Sequence, residues 1–84
     1  MTKIVKLCDL RDGEEASVIE ISTECRIRER LFDVGLIGGT RVKRLFDSPL
    51  GGMKAYRIRG ATIAIRDEDC RYVTVEPEVN YETD

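Results

Sequence analysis

Four consecutive side chains, Asp67, Glu68, Asp69 and Cys70, form the densest group of metal-donor types in this 84-residue chain. Carboxylates and a thiolate could together hold a transition metal such as Fe²⁺ or Zn²⁺. Their spacing matches no fixed ligand pattern, however, and acids in a first helical turn also serve the positive end of its dipole. Asp67, Glu68 and Asp69 are therefore the metal candidates, and no cofactor is firmly implied. Cys8, Cys25 and Cys70 stand 17 and 45 residues apart, and there is no histidine. That scatter argues against a disulfide framework or a tetrahedral zinc site and leaves the cysteines as small buried or half-buried residues. Cys25 lies beside Arg26 and Arg28 near an expected helix start, where thiol pKa values fall, but no second cysteine accompanies it. Covalent hydrolysis needs a nucleophile with an adjacent base, and no such pair is evident. Gly35-Leu36-Ile37-Gly38-Gly39-Thr40-Arg41 has glycines but neither the spacing nor the Lys-Ser/Thr of a phosphate loop. No catalytic residue is expected, and the chain reads as a binding module, not an enzyme.

Charge is the other chemical signal. The formal net charge is −2, yet residues 26–59 carry +6 while residues 1–25 and 60–84 carry −3 and −5. Such a basic middle segment is a solvated face balanced by acids elsewhere in the fold, a docking patch for an acidic partner, or a nucleic-acid footprint. A pI near 5.2 and few aromatics speak against nucleic acid. On the docking reading, Ile37, Leu50 and Met53 are the apolar anchors and Arg41, Arg44, Arg57 and Arg59 the charged ones. Leu36 is assigned to the core, and direct insertion into a membrane is not expected. No apolar run reaches the ~20 residues that span a bilayer, and Met1–Lys6 has no signal-peptide core, so a cytoplasmic location is expected.

The elements that must position these residues follow from periodicity. Leu7 and Leu10 lead into an Asp12-Gly13 turn. Residues 16–22 alternate as a strand, with Ile19 and Ile21 in phase on one face. Ser22 and Thr23 are helix-capping types, and Ile27, Leu31 and Val34 make the apolar stripe of a helix of about ten residues. Gly35 stands at its C′ position with Leu36 folding back. Strands are expected over 40–46, over 53–59 with Tyr56 and Ile58 inward and Ala55 outward, and over 62–66. Pro49 and Gly51-Gly52 form the intervening hairpin loop. Asp67–Cys70 is one helical turn, and residues 72–76 close the sheet with Val73 and Val75 inward. The expected fold is mainly β: a small SH3-like barrel of about five strands with one short helix after the first strand. It occupies residues 1–76, and 77–84 form an acidic, disordered tail.

Leu10…Gly13, Arg30-Leu31…Gly35-Leu36, Gly39…Val42, Pro49-Leu50-Gly51, Arg59-Gly60 and Ala64-Ile65-Arg66…Val73…Val75 together resemble the FeoA family, over residues 7–76. The chain has Gly38 where that family usually has proline, and Gly52-Met53 where it often has Asp, Asn or a second proline. The resemblance implies a small cytosolic protein of bacterial ferrous-iron uptake, acting on the cytosolic part of the FeoB-type membrane permease. The alternative it raises is a transition-metal-sensing or metal-binding regulatory domain, because the same fold forms the C-terminal domain of iron-dependent repressors. A self-sufficient DNA-binding repressor is not expected, since only about fifteen residues precede the first strand.

Overall fold

Short alternating runs separated by glycine turns curl one antiparallel sheet around a single apolar core. The computed structural model describes residues 3–78. Its elements are β1 (Val5–Lys6), a 3₁₀ turn (Leu7–Asp9), β2 (Glu15–Ile21), α1 (Arg28–Asp33), β3 (Arg41–Asp47), β4 (Met53–Ile58), β5 (Ala61–Arg66), α2 (Asp67–Cys70) and β6 (Val73–Pro77). The strand order is β1-β6-β2-β3-β4-β5, with every pair antiparallel. Leu7, Leu10, Leu31, Leu36, Tyr56, Ile58 and Ile65 are the largest of the fully buried side chains, with Val42, Val73 and Val75 beside them.

One strand more than expected is present, because Val5 and Lys6 pair with Val75 and Thr74 on β6. Two residues of ladder are too short to leave a periodic signal in sequence. Strand β2 departs from simple alternation. Its register against β6 shifts between Val18 and Glu20, so Ile19 is 41% exposed while Val18 and Ile21 are buried. The bulge takes Ile19 out of phase with Ile21, contrary to the expected shared face. Ala55, expected outward, is buried; it lies opposite Phe46, just past a second register shift between Arg44 and Phe46.

The helix is shorter at its start than its capping residues implied. Ser22 Oγ accepts from Glu24 N at 3.1 Å, and Cys25 N and Arg28 N donate to the carbonyls of Ser22 and Cys25. These turns consume the Ser22 cap before the helix opens at Arg28, with Ile27 at the N-cap position. Its end is as expected. Gly35 has φ +97°, Gly35 N donates to Phe32 O, and Leu36 N donates to Leu31 O, both at 2.9 Å. That is the paired bonding of a Schellman stop, and it delivers Leu36 to the core. At the other end of the chain, Glu78 N donates to Glu15 O, continuing the ladder past Pro77. Residues 79–84 of the expected acidic tail lie outside the described residues.

Candidate functional site

Strands β3 and β4 carry the basic residues to one place. Thr40, Arg41, Lys43, Arg57 and Arg59, with Glu15 at the side, line an open cleft of about 510 Å³. Lys43 and Arg57 are register partners, and directly opposed like charges weaken a sheet by a few tenths of a kcal/mol or more. Arg41 is engaged, by Glu78 at 2.8 Å and Glu15 at 3.9 Å. Lys43, Arg57 and Arg59 have no ion-pair partner among the described residues.

Arg59 is held in an unusual way. It sits at φ +52° in the two-residue turn between β4 and β5, followed by Gly60 at φ +83°. Both central residues at positive φ is the type I′ arrangement, which suits Asn, Asp or Gly and costs a long side chain on the order of 1 kcal/mol. Its stem lies across the helix stop: a Cβ on Gly35 would come within 2.4 Å of Arg59 Cδ. The helix end therefore needs glycine twice, for its positive φ and for Arg59. Thr40 secures the facing wall, its hydroxyl donating to Gly35 O at 2.8 Å and accepting from Ile37 N at 3.3 Å.

Of the residues the sequence put forward, Arg41, Arg57 and Arg59 meet in this cleft and the others do not. Arg44 is structural. Its side chain is 12% exposed, its Nε lies 3.2 Å from Asp12, and it donates to Asp47 and to Leu10 O. Burial works against its charge, but the hydrogen bond and charge of Asp47 outweigh this and raise its pKa. Leu50 stands alone at the β3–β4 hairpin tip, 95% exposed, and Ile37 is exposed in the loop after α1. Met53 lies instead in a groove between α1 and β5. Lys43, Thr40 and Glu15 were missed. Lys43 alone had a signal, since it shares the charge block and alternates with Arg41 along β3.

The acidic run is already occupied by cations. Asp67 accepts from Lys54 Nζ at 2.7 Å, which raises the lysine's pKa chiefly through that hydrogen bond. Glu68 accepts from Arg26 at 3.0 Å, and Asp69 is buried at 3% exposure. Among the described residues no three His, Cys, Asp or Glu side chains converge on a metal-sized site. The arrangement suits charge-directed association: a shallow basic cleft with prepositioned guanidinium groups, open to solvent.

The FeoA domain model matches residues 5–77. The chain belongs to the FeoA family. An FeoA protein from Chlorobium tepidum is 30% identical, over 94% of this chain and 75% of that one, with a TM-score of 0.83. An FeoA-like protein from Clostridium acetobutylicum is 26% identical over 100% of this chain and 98% of that one, at TM-score 0.84. A manganese-dependent transcriptional repressor matches 93% of this chain with 44% of its own length, at 20% identity and TM-score 0.79, which shows the shared fold alone. No curated protein matched. The SH3-like barrel is thus the architecture of an FeoA domain, and that family carries an accessory role in ferrous-iron transport. No helix among the described residues is long and apolar enough to cross a membrane.

Proposed function

We propose that this FeoA domain is a cytoplasmic accessory module that regulates a FeoB-type ferrous-iron permease by docking on its cytosolic part. It acts by binding and performs no chemistry of its own. The observation that carries the reading is the cleft of Lys43, Arg57 and Arg59, three cations that the fold assembles and that have no acid partner among the described residues. Such a surface attracts a complementary acidic one and steers its approach. The partner surface is accordingly one rich in Asp and Glu on the cytosolic region of the permease.

The test is a binding titration of the purified cytosolic region of a FeoB-type permease. The double variant Lys43→Glu/Arg57→Glu loses at least tenfold in affinity, because it turns attraction into repulsion at the centre of the cleft. Leu50→Asp, at the isolated hairpin tip, leaves affinity within twofold. Full binding by a folded Lys43→Glu/Arg57→Glu variant overturns the cleft as the docking site.

A further inference from the structure

A second surface lies on the other side of β4, where the sheet ends. Among the described residues, strand β5 pairs only with β4 and forms one edge of the sheet. Its register fixes which backbone groups are used. Ile58 and Ala61 flank the two-residue turn, so Ala61, Ile63 and Ile65 turn their N–H and C=O groups toward β4. Thr62 and Ala64 turn theirs outward, and neither has a hydrogen-bond partner there among the described residues. Such edges are normally blunted by charge, proline or a covering element. Here the exposed side chains over the open donors and acceptors are the small ones of Thr62 and Ala64.

The open edge faces α1 across a groove of about 820 Å³. Ile27, Val34, Met53 and Ile63, all half-buried, give it apolar walls. Arg26, Arg30 and Arg66 rim it, and the exposed carboxylate among them is Glu68, which Arg26 and Arg66 share at 3.0 and 3.9 Å. Arg30 has no acid partner among the described residues.

We infer that this groove takes an extended segment of a partner protein as a seventh strand, one in which aliphatic residues alternate with Asp or Glu. Pairing to Thr62 and Ala64 supplies four backbone hydrogen bonds. Side chains then point alternately into the apolar walls and toward the arginine rim, the period of two that a strand imposes. A second copy of this chain fits the groove less well. Two β5 edges placed side by side would bring the arginines of both copies together with only the shared Glu68 of each to offset them. The groove shares no lining residue with the Lys43–Arg57 cleft, though the two adjoin where Thr62 lies opposite Arg57 in the ladder.

The probe is an acetylated, amidated heptapeptide of alternating glutamate and valine, titrated into the ¹⁵N-labelled protein, with a control that blocks the same residues into two halves. The alternating peptide shifts the Thr62, Ala64 and Arg66 amide resonances and slows hydrogen exchange at Thr62 and Ala64; the blocked peptide binds at least fivefold more weakly. Ala64→Pro removes an outward N–H that β4 does not use, so the variant folds and loses binding by tenfold or more. Arg30→Glu, on the exposed helix face, weakens binding by at least fivefold and covers the case in which the proline variant fails to fold. Equal binding by both peptides, shifts confined to Lys43 and Arg57, or self-association abolished by Ala64→Pro would each overturn the inference.

Discussion

Arg59 is held at the expense of local comfort, at a place where the proposed docking would use its charge. Asn-Gly is the favoured pair for a type I′ turn, and this chain has Arg59-Gly60 instead. Arg59→Asn relieves the backbone strain but gives up the stem packed on Gly35, so it raises folding stability by only about 0.5 kcal/mol in urea titration. The same variant binds the permease's cytosolic region several-fold more weakly. A variant that is no more stable and binds as before would remove Arg59 from the site. In sequence, Arg59 was legible as a basic residue before a turn glycine; its conformation was not, because arginine gives no sign that it will sit at positive φ.

At the scale of the element, α1 is the weakest piece. Six residues are too few to persist as a free helix, so tertiary contacts must hold it. Leu31 and Leu36 enter the core, and Arg28 Nε donates to Ile21 O at 3.2 Å while its guanidinium lies 4.7 Å from the Phe32 ring centre. Leu31→Ala costs about 2–4 kcal/mol of stability, whereas truncating the exposed Phe32 to Ala costs under about 1 kcal/mol. Chemical denaturation of the two variants separates them. The Schellman end of this helix could be read from Gly35-Leu36 because a helix stop is written in adjacent residues. Its start could not, because Ser22 had a competing turn to cap.

Across the whole molecule, a small polar network ties four elements together through the core. Tyr56 on β4 donates to Leu7 O in the 3₁₀ turn at 3.3 Å and lies 3.5 Å from Cys70 Sγ on α2, which in turn donates to Ile65 O on β5 at 3.9 Å. Burial raises the pKa of both, Cys70 from 9.0 to about 11. In the unfolded chain the thiol loses its proton near pH 9, while in the fold it keeps it until about pH 11. Above pH 9 the unfolded state therefore binds fewer protons, and stability falls as pH rises between these values. Two pKa units correspond to a loss of about 2–3 kcal/mol. Cys70→Ala reduces that slope in urea titrations, most clearly between pH 9 and 10, below the point at which the raised Tyr56 adds a slope of the same sign; an unchanged slope there would show that Cys70 does not titrate in this way.

By itself the sequence determined the mainly β barrel, its glycine turns, the helix stop and the basic middle segment. Each of these is encoded in neighbouring residues: side-chain alternation, positive-φ glycines and a run of like charge. Only the tertiary structure decided which charges act together. It gathered Arg41, Arg57 and Arg59 with Lys43, drew Arg44 inward to Asp12 and Asp47, and spent Asp67 and Glu68 on Lys54 and Arg26. The bulges in β2 and β3 and the bare edge of β5 were likewise invisible. The reason is physical: a charge's partner and a strand's neighbour are set by register across the sheet, and register joins residues far apart in the chain.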